Sequence, residues 1–289
     1  IAHRNLLRND RALSKSLERL ASGQKVNRAS DDPAALVISE HMRAQSNGIQ
    51  QAIKNNEVAI SLTQTAEASM DEISNILVSI RQRAIAAANV GASDRAMIQA
   101  NQSEVENALS SIDRIVSSTQ FGKYKLLDGT NAKRELEDGS FQDGLRFHVG
   151  PNAGHMSSVS IRDMKTSELG KVSEGEEPNL SNFMSLADID VRSEQGAQDA
   201  LEIIDQSISE VATVRGELGA FQRHTLESNL NSLQIAAENM ISAESTLRDA
   251  DMAQEMATFT RNQIMTQSAT AQLAQANILP QNVLRLINS

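Results

Sequence analysis

The sequence predicts a mainly α protein: an elongated, hairpin-shaped rod of long coiled-coil-like helices with a small β-hairpin-containing middle segment. Three observations predict it. First, Pro33 to Asn89 is 57 residues long, with its one Pro at the start and its one Gly at Gly48. Along it Met42, Ile49, Thr63, Met70, Leu77 and Ala84 recur on a seven-residue step interrupted by Asn56, and Ile38, Ala52, Ala59, Ala66, Ile73 and Ile80 form a second row interrupted by Gln45. That spacing marks one face of a helix packed as in a coiled coil, roughly 85 Å long at about 1.5 Å per residue. Second, aromatic residues make up 2% and Trp is absent, which suits narrow helix seams better than a sheet sandwich. Third, helical periodicity returns after a glycine-rich middle, and helices at both ends of one chain pair only if it doubles back.

Residues 1–22 read as an amphipathic helix with Leu6, Leu13 and Leu20 one heptad apart and Leu17 in the neighbouring row, stopping at Ser22-Gly23. After a polar link, Asp31-Asp32-Pro33 gives the start signal of the long helix, a capping carboxylate before proline. Ser93 is placed to cap the next helix, with Ile98, Val105, Leu109, Ile112 and Val116 inward. Nine of the 14 glycines and five of the seven aromatics lie between Phe121 and Gly196. There Leu145–Val149 and Ser157–Ile161 alternate around a Gly-Pro-Asn turn and read as a hairpin. Residues 166–190 read as loops. From Ala197 the helical pattern runs to Leu247, with four-four-four steps between Leu218 and Leu230 that form a stutter. The last helix is expected over 252–276, with Met256, Phe259 or Thr260, Ile264, Ala271 and Ala274 on its apolar face and Pro280 breaking the pattern before Val283, Leu284 and Ile287.

Composition excludes several functions. Cysteine is absent, so disulfides and thiolate chemistry are out. No run of 18 apolar residues occurs, so no membrane partner is expected. Residues 1–30 carry seven Lys or Arg against Asp10 and Glu18, a charge of +5 that leaves −15 on the rest of the −10 chain. These charges alternate with leucines and lack stacking aromatics, so no nucleic-acid partner is expected either. The five histidines are scattered, Glu40-His41 lacks the second histidine of a zinc helix, and the glycines fit no phosphate loop. Asp31-Asp32 and Asp249-Ala-Asp251 read as helix caps rather than metal ligands. No catalytic residue, cofactor or metal is expected, and the chain is not read as an enzyme. Neither terminal helix has a third partner for its apolar stripe, which asks for other copies of the molecule.

Three stretches go beyond periodicity. Leu20-Ala-Ser-Gly-Gln-Lys-Val-Asn-Arg-Ala-Ser-Asp-Asp-Pro-Ala-Ala-Leu36 resembles the N-terminal block of bacterial flagellins. Ile112-Asp-Arg-Ile115 through Thr119-Gln-Phe-Gly-Lys-Tyr-Lys-Leu-Leu127 is similar to the segment that closes the family's N-terminal rod half. Ala243-Glu-Ser-Thr-Leu-Arg-Asp-Ala-Asp-Met-Ala-Gln-Glu255, with Leu273-Ala-Gln-Ala-Asn-Ile-Leu-Pro-Gln-Asn-Val-Leu284, resembles the C-terminal block.

The resemblance implies a short flagellin without large outer domains, a structural subunit that self-assembles into the filament for swimming. By it, residues 1–32 form an inner-core helix and linker, 33–130 and 196–248 the two rod halves, 131–195 a short variable β/loop segment, and 249–289 the C-terminal inner-core helix. The implied inner-core contacts are Leu6, Leu13, Leu17, Leu20, Met256, Ile264, Ala271, Ala274 and Leu284. Implied partners are identical subunits, an export chaperone, the filament cap and hook–filament junction proteins. The second reading is the junction protein itself. The start at Ile1, without Met or a secretory leader, fits absent N-terminal residues and export by the flagellar type III route, to a filament outside the cell or, as in spirochetes, in the periplasm. Many flagellins present an innate immune receptor with an arginine–leucine face on the long helix. Aligned on Ala88-Asn89, Ser79 stands at the arginine position, Arg83 at the leucine position, and Glu104 matches the family's glutamate. The implied receptor face is degenerate.

Overall fold

The computed structural model describes residues 2–89, 94–135, 141–171 and 179–287, with the side chains of 2, 133–135, 141–143 and 277–287 left out. The protein is mainly helical. Helix α1 spans Ala2–Ser22, α2 Pro33–Ala88 and α3 Arg95–Ser118. Three antiparallel two-stranded hairpins follow: β1 (Gln120–Phe121) with β2 (Tyr124–Lys125), β3 (Lys133–Glu135) with β4 (Phe141–Asp143), and β5 (Leu145–His148) with β6 (Met156–Val159). Then come a 3-10 turn at Leu186–Asp188, α4 (Glu194–Ala220), a π-helical segment (Phe221–Glu227), α5 (Ser228–Arg248) and α6 (Met252–Ile287). By internal contacts the chain divides into two units, Ile49–Gln234 and the paired ends Ile1–Gly48 with Ile235–Ser289.

The larger unit holds one core. From Ile49 to Ala84 both rows of α2 are buried, with Ala59, Ala66, Met70, Ile73, Leu77 and Ala84 fully so. From Ala66 onward they join a core with Val105, Ile112 and Val116 of α3 and Ala200, Ile204, Val211 and Leu218 of α4. Asn56, which breaks the apolar row, is itself fully buried. Its Nδ2 donates to the Ala52 carbonyl at 2.7 Å and the Val149 carbonyl at 3.1 Å, just past β5. Asn229 of α5 donates to the same Val149 carbonyl at 2.6 Å, and Asn55 donates to the His148 carbonyl at 3.0 Å. The turn of the last hairpin is thus hydrogen-bonded to both α2 and α5, satisfying carbonyls that would be costly to bury unpaired.

The stutter is occupied by the π-helical segment, an underwound stretch that absorbs the extra residues. Phe221 at its start sets its ring 6.5 Å from Phe147.

Several expectations are corrected. Helix α3 is capped by Asp94, whose side chain accepts from the Met97 N–H, and Ser93 lies outside the described residues. Ile38 is 47% exposed and Val37 57%, so the second apolar row of α2 is not buried at its start. The described residues of the expected loop stretch, 166–171 and 179–190, hold one 3-10 turn and otherwise no regular element, yet they are not peripheral. Leu169, Phe183, Leu186 and Ile189 are buried in the core, and the Asp113 carboxylate of α3 accepts from both the N–H and the hydroxyl of Thr166. Burying a few side chains spaced irregularly leaves no periodicity to read. Helix α6 continues past Pro280 to Ile287, since one proline removes a single rung of the backbone ladder.

Candidate functional site

In the unit of paired ends, α1 and α6 pack side by side. Asn9 Nδ2 donates to the Met265 carbonyl at 3.3 Å, Asn262 Nδ2 to Ser16 Oγ at 3.3 Å, and Arg19 lies 3.6 Å from Glu255. Numbers rise on one helix as they fall on the other, so the pair is antiparallel. The residues of α1 withdrawn from solvent include Leu6, Asn9, Leu13, Ser16 and Leu20, on alternating three- and four-residue steps. Those of α6 include Glu255, Phe259, Asn262, Thr266, Ala269 and Leu273, on the same rhythm. Apolar and polar side chains share this seam. Most of it is only half-buried, Ser16 being the exception at 3% exposure.

The register is set at the blunt end. Gly23, in the left-handed region at φ 71°, turns the chain out of α1. Its carbonyl accepts from the Ala250 N–H at 2.9 Å, and the Arg248 carbonyl accepts from the Lys25 N–H at 2.7 Å, around an isolated bridge between Gln24 and Asp249. Asp31 accepts the Lys15 ammonium at 2.8 Å and the backbone N–H groups of Arg28 and Asn27. The Lys15 hydrogen bond, helped by those N–H groups, holds the Asp31 carboxyl below its ordinary value against a smaller opposing effect of burial. Asp32 caps α2 through the Ala34 and Ala35 N–H groups, and Asp251 caps α6 through those of Ala253 and Gln254. Among the described residues no group of three His, Cys, Asp or Glu could hold a metal ion.

The structure divides the residues singled out from sequence. Leu6, Leu13 and Leu20 lie in the seam, and Leu17 stands at its edge, 50% exposed. On α6 the apolar face lies elsewhere. Met256 is 51% exposed, Ile264 57%, and Ala271 and Ala274 are exposed as well. At about 100° per residue these four cluster within about 80°, about 140° around the helix from the seam. Leu284 lies outside the described side chains. The sequence assigns these α6 residues to contacts between subunits, and the single chain leaves Met256, Ile264, Ala271 and Ala274 uncovered. The half-polar rhythm through Asn262 and Thr266 was the missed signal, since hydrophobicity alone does not register it.

In the larger unit Arg83 of α2 and Glu104 of α3 form an ion pair at 2.7 Å, both about half exposed, and Ser79 is exposed one turn before Arg83. Arg215 of α4 likewise sits 2.9 Å from Asp71 of α2, and Arg81 of α2 pairs with Asp205 of α4 at 2.6 Å.

The model of the bacterial flagellin N-terminal helical region matches residues 1–132, and that of the C-terminal helical region matches residues 201–287. The chain belongs to the bacterial flagellin family. It is 40% identical over 290 residues to the flagellin of Bacillus subtilis, covering 96% of this chain and 94% of the relative. It is 37% identical over 288 residues to the flagellar filament 33 kDa core protein of Treponema phagedenis, covering 99% and 96%. A solved structure described as a flagellar hook-associated protein of Vibrio parahaemolyticus superposes with a TM-score of 0.60 over 76% of this chain and all of its own, at 17% identity, a likeness of fold alone. Both conserved helical regions of a flagellin are therefore present, and the seam joins the N-terminal one to the C-terminal one.

Proposed function

We propose that this flagellin-family chain is the repeating subunit of a flagellar filament, a structural polymer for swimming that lies outside the cytoplasm, extracellular or periplasmic. One observation carries the mechanism: the apolar face of α6 formed by Met256, Ile264, Ala271 and Ala274 is uncovered in the single chain, while the seam with α1 uses the other side of the helix. Burying a Met or Ile side chain fully is worth roughly 1.5–3 kcal/mol and an alanine methyl about 0.8 kcal/mol, whereas ordering backbone costs about 1–2 kcal/mol per residue. A half-buried seam leaves the ends short of that, and neighbouring copies supply the difference. Residues 1–32 and 249–289 are the inner part of the polymer, 33–130 and 196–248 its surrounding rod, and 131–195 the outward segment. The ends acquire their full protection from solvent only on assembly.

The further partners belong with this reading. An export chaperone covers the sticky C-terminal face before assembly, and a filament cap and junction proteins bound the polymer at its two ends. The test is Ile264→Asp, made alone and with Met256→Asp. Electron microscopy should show no filaments, while the unassembled chain keeps its helical circular dichroism and its urea midpoint. Filaments indistinguishable from those of the unaltered chain would overturn the assignment of this face.

A further inference from the structure

The basic residues of α1 do not share one fate. Lys15 is paired with Asp31, Arg19 with Glu255, and Arg28 in the following linker with Glu18. Arg4, Arg8 and Arg11 are exposed and make no ion pair among the described residues. With Lys15 they follow four-, three- and four-residue steps, which align them in a stripe about 170° around α1 from the seam leucines. The side of α1 turned away from α6 is therefore a row of unpaired arginines. Elsewhere the charge is opposite: the chain beyond residue 30 sums to −15. Exposed Glu57, Glu72, Glu202, Glu217 and Glu238 of α2, α4 and α5 likewise carry no ion pair among the described residues.

We infer that the outer face of α1, through Arg4, Arg8 and Arg11, docks electrostatically on the acidic helical surface of a second copy of this chain. The inference rests on the filament reading and adds to it a second, ionic contact on the opposite side of the chain ends from the seam. In a lone chain these three cations and at least five carboxylates stand without ion-pair partners among the described residues, and a polymer of the same chain brings the two sets within reach. The contact has a stated consequence. Exposed pairs are screened within about 10 Å at 0.1 M salt and within about 3 Å at 1 M, so the first step of assembly is salt-sensitive. The apolar face of α6 is not.

The test polymerises the full-length chain from disassembled filaments over about 50–500 mM NaCl and reads the critical concentration. Two variants are compared with the unaltered protein: R4Q/R8Q/R11Q, and R4K/R8K/R11K as the charge-preserving control. Glutamine and lysine match arginine in helix propensity, so α1 itself is kept. The glutamine variant should need about tenfold more protein to polymerise at low salt, as expected for three exposed pairs, with the gap closing at high salt. The lysine variant should behave as the unaltered chain. An unchanged critical concentration in the glutamine variant overturns the inference, and so does a lysine variant as impaired as the glutamine one. Loss of sedimentation with phosphatidylglycerol vesicles in the glutamine variant, with polymerisation unaltered, would assign the stripe to a membrane surface instead. Failure of the unaltered chain to polymerise at any salt would sink the filament reading rather than the ionic contact.

Discussion

Replacing Asn56 by Asp tests the hydrogen-bonded junction of α2, α5 and the last hairpin. Asn56 has no solvent exposure. Its amide nitrogen lies 2.7 Å from the Ala52 carbonyl and 3.1 Å from the Val149 carbonyl, and its Oδ1 lies 3.4 Å from Asn229 Nδ2. Asp in the same rotamer turns a donor shared by two carbonyls into an oxygen facing both. Neither carbonyl is orphaned, because Val149 keeps Asn229 at 2.6 Å and Ala52 keeps its rung of the α2 ladder. The cost is that of a buried carboxylate without a cation, about 3–5 kcal/mol. Asn56→Ala, which loses hydrogen bonds without adding charge, should cost only about 1–2 kcal/mol. Burial raises the pKa of the new carboxyl, so the protonated form, which can again donate to Val149, stabilises the fold. A raised folded-state pKa gives stability that is present below the unfolded value and lost as pH rises. The gap to the unaltered chain should therefore widen from ~pH 5 to ~pH 8. The assay is urea unfolding of the unassembled full chain at both pH values. A penalty under about 0.5 kcal/mol at ~pH 8, or one equal at both pH values, would refute the reasoning.

Three other outcomes are expected. Gly144 has φ 59°, and a Cβ there would lie 2.3 Å from the Val159 carbonyl oxygen, a backbone atom that cannot step aside; Gly144→Ala should lower stability by more than about 1 kcal/mol, read as a shift in urea midpoint. Asp31 is held below its ordinary value of 3.8, so the stability it lends the α1–α2 link is present above that pH and lost as pH falls through its lower folded-state value; amide exchange at Asn27 and Arg28 should quicken in that acid range, and Asp31→Asn should quicken it at neutral pH. With Ser79 and the Arg83–Glu104 ion pair where the family presents an arginine–leucine face, a reporter-cell assay of the innate receptor should give a weak response, and a response equal to that of an enteric flagellin would contradict this.

Much of the helical fold was legible because long helices repeat their inward residues many times. Met70, Leu77 and Ala84 announce one face by spacing alone, and the stutter after Leu218 coincides with the π-helical segment. Asn56 looked like a flaw in that row, because its role depends on Val149, distant in sequence and on a different element. The short hairpins at Gln120–Lys125 and Lys133–Asp143 span too few residues for a period to show. At the chain ends the leucine heptad of α1 is legible from its spacing and falls in the seam, whereas the side of α6 that faces α1 is not legible. The inward residues of α6 are Asn262 and Thr266 as much as Phe259 and Leu273, while Met256 and Ile264 look outward. A pattern of apolar residues identifies the surface that has most to gain from leaving water. It does not say whether that surface is covered within one chain or between chains.

The mixed chemistry of the α1–α6 seam bears on how readily the two chain ends part. Asn9, Ser16 and Asn262 can exchange their hydrogen bonds for water when the two helices separate, and the apolar side chains beside them are only half-buried to begin with, so parting the pair costs little. The zipper therefore opens and closes at low cost, a clasp rather than a weld.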